Sequence, residues 1–401
     1  MANQLTNPNS RYISGPINVV RLEGYIGAVH KVIYLFMDLH IDVKYQTQCA
    51  NVFSKDVQNY LVNAFYKLDA GSIMYDFFVE VVPTRLSNVR SNIYENKNRY
   101  IDEVINVFAK IFRYNPKKNK VRVNQLFKNI RLHYLDIRDY YEHNFYHNLF
   151  KLNNLMFGLM SNGYIRPQSL IKISYLLYDM KSHIEIIITA LRDHQHDHHQ
   201  PTNKKTIINK KKDHIDLKIV NYLTHKIQTK YNHKLVKNEM KLLIESSIKN
   251  FETLIKDIDH TLTIFSKYVK QMENTSIKLT KSDMRTILVN VLNKVEKIIN
   301  EEFIEFFARF TDIFFLRRFL DKDYITNAIV YAGAYHANAY IDVLVKKFNF
   351  KITHAHYSTE KSMSKMTMHV KEKSQMEILE LILPNNAIQC SNLDGFPVNF
   401  Q

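Results

Sequence analysis

Residues 328–352 read "AIVYAGAYHANAYIDVLVKKFNFKI", and the order of elements they imply sets the fold. Ala328–Ala332 is a short apolar run of the kind that forms a strand buried on both faces. Gly333-Ala334 and Tyr335-His336 follow, then a helical pattern, and then "KITHAHY" (351–357), which is strand-like again. Strand, helix, strand is the repeating unit of parallel sheets. Only 8 glycines occur among 401 residues, and one of them stands at this strand-to-helix junction.

The same unit occurs near the start of the chain. "INVVRLEG" (17–24) and "VHKVIYLFM" (29–37) read as two strands around Gly24 and Gly27, the second buried on both faces. In "FSKDVQNYLVNAFYKLDAG" (53–71), Val57, Leu61, Ala64, Phe65 and Leu68 recur at helical spacing, with Ser54 as a cap and Gly71 as a stop. "YDFFVEVV" (75–82) is a strand, 98–113 a helix, and "IRLHYLDIRDYY" (130–141) begins as a strand and ends in charge. From about 145 to 320 apolar residues recur at i, i+3, i+4 and i+7 with few breakers.

The expected fold is therefore α/β, a mostly parallel sheet flanked by helices and interrupted by a large all-helical insertion. Its parts are 1–144, the helical 145–322, and 323–401. The His- and Lys-rich segment 193–214 reads as a mobile loop inside the helical part. In the tail, "TMHVKE" reads as a strand and "QMEILELIL" as a short helix or strand.

Composition narrows the function classes. Hydrophobic residues make up 46% and charged residues 23%, which is globular usage and not that of a disordered chain. The N-terminus lacks a basic start and an apolar core, so it is not a secretory signal. The most apolar helix, "EEFIEFFARFTDIFFLRRFL", is broken by Glu305, Arg309, Asp312, Arg317 and Arg318, so no membrane span is expected. Cys49 and Cys390 are too few for a disulfide framework, which points to a reducing, cytoplasmic compartment, or to a virion if the source is viral.

The net charge of +16 invites contact with nucleic acid or acidic proteins. Abundant Lys, Asn, Ile and Tyr with no Trp is also the usage of an AT-rich genome, and the basic residues are spread along most of the chain. That second explanation carries more weight and points to a parasite, a protist or a large DNA virus as source.

In parallel sheets ligands sit beyond the carboxyl ends of the strands. The residues there are Asp38, His40 and Asp42 after one strand, Glu80 on the next, Asp136, Arg138 and Asp139 after a third, and Gly333 and His336 at the last. Two histidines with carboxylates suit a divalent metal that keeps an open position, or metal-free acid–base chemistry. The structural alternatives are specific. Asp38, His40 and Asp42 alternate and can be a hydrogen-bonded strand end, Asp136 and Arg138 can pair with each other, and His354 and His356 read as sheet-surface residues. Glu80 stands between apolar neighbours, and a buried lone carboxylate costs several kcal/mol, about 3–5 once a partner is lost.

The motifs "YLFMDLHID", "FFVEVV" and "VYAGAYHANAYIDVLVKKFNFKI" resemble those of the TraB/TIKI, ChaN and erythromycin-esterase-like superfamily. Gly333-Ala334-Tyr335-His336 matches that group's closing motif, His40 its first histidine and Glu80 its glutamate, which implies that Gly333 and Ala334 are small so that the backbone turns tightly and His336 points into the site. Met37 stands where the opening motif has glycine. The resemblance covers about residues 17–141 and 325–357. It implies a hydrolase of ester or peptide bonds in which His40, Glu80 and His336 position or activate water, with a divalent metal held by the same three residues as an option. Arg138 would stabilise developing negative charge, and Asp38, Asp136 and Gly333 would line the substrate site. The alternative is a protein that keeps the fold without the chemistry, such as a viral particle component with a basic surface.

Overall fold

The structure is a computed structural model that describes residues 11–42, 49, 51–81, 99–115, 120–122, 126–137, 145–161, 166–193, 217–275 and 287–400. The chain divides into two compact units, residues 1–137 with 314–401 and residues 138–313.

The first unit is built on a six-stranded sheet. Its strands are β2 (Asn18–Ile26), β3 (Val29–Asp38), β5 (Tyr75–Val79), β8 (Ile130–Tyr134), β9 (Asn327–Gly333) and β10 (Lys351–Ala355), in the spatial order β10-β2-β3-β9-β5-β8. The pairings β3–β9, β9–β5 and β5–β8 are parallel, whereas β10–β2 and β2–β3 are antiparallel. The sheet is thus mixed and not mostly parallel as expected. The cause is local: β2 and β3 are joined by a two-residue turn whose Gly27 has a φ of 59°, and so short a connection can only reverse the chain. Every other strand still runs with β3, so the carboxyl ends of β3, β5, β8 and β9 share one edge.

A smaller sheet joins β11 (Cys390–Asn392), β1 (Tyr12–Ser14) and β4 (Lys55–Asp56), with one antiparallel and one parallel pairing. The short strands β6 (Tyr114–Asn115) and β7 (Lys120–Val121) form an antiparallel pair. The smaller three-stranded sheet corrects the reading of the cysteines. Ser14 is in register with Cys390, and Cys49 lies against the Ile13 carbonyl. Cys49 and Cys390, 341 residues apart, form a disulfide. Sequence distance hid a proximity that strand pairing creates.

One face of the large sheet is covered by α1 (Val57–Leu68) and α2 (Tyr100–Ile111). Val57, Leu61, Phe65 and Leu68 of α1 meet Tyr34, Phe36, Phe77 and Tyr331 of the strands in one aromatic-rich core. The helix α1 starts at Val57, with Asp56 as its N-cap and no side-chain cap. Ser54, expected as the cap, instead faces the Ser14 hydroxyl at 3.4 Å. On the other face, α9 (Ala334–Phe348) packs on β2, β3 and β9. It ends in Asn349 at a φ of 55°, a left-handed stop that asparagine tolerates. Burial on both faces explains why β3 and β9 read as continuous apolar runs.

The tail is helical where a strand was expected. "TMHVKE" falls in α10 (Met363–Glu372), capped by Ser362, and α11 (Gln375–Ile382) opens with a capping box of Ser374 and Glu377.

The second unit consists, among its described residues, of helices: α3 (Phe145–Ser161), α4 (Pro167–Asp193), α5 (Leu217–Gln228), α6 (Lys234–Thr275), α7 (Ile287–Lys297), a π-helical turn at Ile298–Glu302, and the first part of α8 (Phe303–Asp321). Leu170, Ile173, Leu177, Met180, Ile184, Ile187 and Leu191 form the buried stripe of α4, and α4 packs on α3 and α6. The segment 193–214, read as a mobile loop, lies outside the described residues from 194 onward.

Candidate active site

At the carboxyl edge of the sheet, register brings distant residues together. Asp38 pairs with Gly333 across β3 and β9, and Val79 pairs with Tyr331 across β5 and β9. One further bond, from the Glu80 N–H to the Tyr331 carbonyl at 3.0 Å, carries Glu80 alongside Gly333. The strand β3 stops at Asp38, and His40 follows with a φ of 57°. The alternating strand end considered for Asp38, His40 and Asp42 is therefore not formed. The left-handed residue swings the His40 ring back over its own strand end, where Nδ1 lies 2.8 Å from Asp38 Oδ1.

His40 Nε2 lies 3.3 Å from Glu80 Oε2, and His336 Nε2 lies 3.5 Å from Glu80 Oε1. One carboxylate thus holds two imidazoles. The same Glu80 Oε2 accepts the Gly333 N–H at 2.6 Å. Gly333 is the N-cap of α9 and has no side chain to offer, so Glu80 supplies the acceptor and places its charge at the positive end of that helix. On the other side, Tyr331 donates its hydroxyl to Asp38 Oδ2 at 2.6 Å. Asp38 is wholly buried and Glu80 nearly so, while the His40 side chain is 32% exposed. His40 is more exposed than His336, whose side chain is 12% exposed.

Gly333 has an ordinary φ, −56°, so its role is not the tight turn expected of it. A Cβ there would stand 2.9 Å from His40 Nε2 and 3.3 Å from Glu80 Oε2. The glycine makes room for the two side chains. Met37, where the resembling motif has glycine, is buried and alternates with Asp38 along β3. Its side chain points to the opposite face of the sheet.

The electrostatics follow from burial and pairing. Burial opposes charge on His40, but hydrogen bonds to Asp38 and Glu80 outweigh it and raise its pKa to about 9. Burial also opposes charge on Glu80, but the charge and hydrogen bond of His336, then those of His40, hold its carboxyl well below the usual range. Burial, and then the Asp38 charge, push the Tyr331 phenol well above its ordinary value, so it stays a donor.

Two partners of the site had not been singled out in the sequence. Tyr331 stands two residues before Gly333 in a strand, and only that period-2 relation marks it. Arg99 precedes α2 and donates to the buried Asp102 at 2.7 and 3.1 Å. This bond raises its pKa against the opposing effect of burial, and the Asp102, Asp38 and Glu80 charges add to the rise. The guanidinium itself is paired with Asp102, and the site's two carboxylates feel its charge at longer range. Arg138, expected to stabilise developing negative charge, lies outside the described residues, as does Asp139. Asp136 is buried two residues past β8 on the same edge. His40 and His336 each pair with Glu80, and among the described residues no group of three or more His, Cys, Asp or Glu is placed to hold a metal ion.

A second charged cluster marks the opposite ends of β5 and β8. The wholly buried Asp76 accepts Arg131 at 2.9 and 2.6 Å and pairs with His133 at 2.6 Å. Burial, despite Asp76, lowers the His133 pKa to about 4. Nearby, Lys31 donates to the carbonyls of Lys322 and Ile325, and burial lowers its pKa to about 8. These groups tie β3, β5 and β8 to the approach of β9.

The model of the family of unknown function DUF5847 matches residues 11–401. The chain belongs to this family. Within reach of the whole chain are three proteins of Acanthamoeba polyphaga mimivirus. Uncharacterized protein R706 is 45% identical, covering 100% of this chain and 99% of its own length. Uncharacterized protein R161 is 34% identical, covering 97% and 98%, and Uncharacterized protein R160 is 32% identical, covering 98% of each. These mimivirus relatives agree with the viral source among those expected from composition. No solved structure matches the chain. Among the described residues, no helix is long and apolar enough to cross a membrane.

Proposed function

We propose that this DUF5847 protein is a hydrolase of the TraB/erythromycin-esterase-like type that acts on an ester or peptide bond by acid–base chemistry. What carries the reading is the contact set at Glu80: one buried carboxylate shared by His40 and His336, with His40 held from behind by Asp38. In this reading Asp38 orients the His40 ring through Nδ1, and Nε2, which faces Glu80, takes a proton from water in the fraction of molecules whose His40 is neutral. Glu80 keeps the two imidazoles apart at a fixed spacing. His336 returns a proton to the leaving group, and the Arg99 guanidinium offsets negative charge that develops on the substrate oxygen.

Ester and peptide probes incubated with the full chain test the proposal. Hydrolysis that falls about 10²-fold or more in His40→Ala and in His336→Ala, with folding intact, supports it. Rates that do not differ between the wild type and these variants sink it. The alternative is a non-catalytic protein whose net charge of +16 would contact nucleic acid or acidic proteins. It requires DNA or RNA binding that weakens steeply between about 50 and 200 mM salt.

A further inference from the structure

A cavity of about 300 Å³ in the first unit shares no lining residue with the His40 centre. It opens between Arg11-Tyr12, Lys55, one side of α1 and the tail 393–400. Its volume is at the lower end of the range for small-molecule sites, enough for a compact ligand and not for a polymer. Three of its lining residues, Arg11, Lys55 and Lys67, are cations, and its described lining holds no carboxylate.

The Arg11 guanidinium is fixed but not neutralised. It donates to the backbone carbonyls of Phe396, Asp394 and Pro397 at 2.5, 3.0 and 3.5 Å. The Asp394 carboxylate is engaged by the Arg11 backbone N–H at 2.6 Å. Neutral carbonyls hold a guanidinium in place and leave its charge for a further partner. Lys55 and Lys67 stand exposed on the same side. The rest of the wall is aromatic. The Phe400 ring meets Tyr34 and Tyr60 edge-on, with centroids 5.0 and 6.4 Å apart, and Phe396 lies 6.2 Å from Tyr34. Ring-lined walls beside fixed cations select a molecule that joins a flat ring to an anionic group.

We propose that this cavity binds a small aromatic phosphate of the nucleoside monophosphate class. The ring lies among Tyr60, Phe396 and Phe400, and the phosphate faces Arg11, Lys55 and Lys67. The site is independent of the hydrolytic reading.

Calorimetric titration of the full chain with adenosine monophosphate, adenosine and inorganic phosphate tests the proposal. The expected result is one-site binding of the monophosphate, at least tenfold tighter than either fragment. The exposed pair Lys55→Ala/Lys67→Ala should weaken the monophosphate at least tenfold, leave adenosine unchanged and melt like the wild type. The proposal is overturned if the monophosphate does not bind, binds no better than inorganic phosphate, or binds the double variant equally well.

Discussion

Replacing Gly333 with alanine tests why the site is built as it is. The backbone there can accept any residue, since φ is −56°, and alanine restricts the unfolded chain, a gain of about 0.4–1 kcal/mol. Against this stands the new Cβ, 2.9 Å from His40 Nε2 where about 3.5 Å is comfortable. The ring has to retreat by about half an ångström, and crowding a packed site costs about 1–3 kcal/mol. The crowding outweighs the gain, for a net loss of about 1 kcal/mol, read from the denaturant midpoint. The electrostatic effect is more specific. The His40–Glu80 separation is already 3.3 Å, and the same retreat takes it beyond hydrogen-bonding range. His40 then loses one of the two bonds that hold its pKa near 9, and the value falls towards 6.5, which NMR titration of the imidazole reads directly. Any hydrolysis should drop by about 10- to 100-fold through misplacement of the ring. A variant as stable as the wild type, with His40 still titrating near 9, refutes the steric account of Gly333.

The raised His40 pKa also sets a pH dependence. Its contribution to stability is complete below the unfolded value of about 6.5 and is lost as pH rises through about 9. Melting temperatures of wild type and His40→Asn should therefore converge between pH 7 and 10, and a gap independent of pH contradicts this. If His40 is the base, kcat/KM rises with pH up to about 9, and a flat profile removes it from that role. Reduction of Cys49–Cys390, which closes a loop of 341 residues, should destabilise the protein by 2–4 kcal/mol, with a chain-entropy ceiling of about 6; an unchanged denaturant midpoint in dithiothreitol means the bond adds nothing. Asp76→Ala strands Arg131 and the buried His133 and should cost about 3 kcal/mol, discounted for the partial exposure of Arg131. A loss under 1 kcal/mol shows the cluster to be dispensable.

Much of the site was legible because its chemistry sits on strand ends. An apolar run that stops at Asp38, another that stops at Gly333, and a glutamate after "YDFFV" are each visible along the chain, since side chains alternate and strands terminate in polar residues. Tyr331 and Arg99 were not legible. A tyrosine in a strand looks like core, and nothing in the residues around Arg99 marks its electrostatic link to Asp38 and Glu80. The space-filling role of Gly333 was likewise invisible, because its cause is two side chains from distant segments.

From local pattern alone came the positions of the main strands and helices, the polar residues at the strand ends, and the helical character of the residues between the two halves of the sheet. Periodicity and breakers are encoded by near neighbours, so a linear reading reaches them. Tertiary structure alone decided that the sheet is mixed, that Cys49 and Cys390 are bonded, and that His40 and His336 share Glu80. Each of these depends on which strand lies beside which and in what register. That choice is made by the burial of whole faces across hundreds of residues and leaves no mark on any one stretch of the chain.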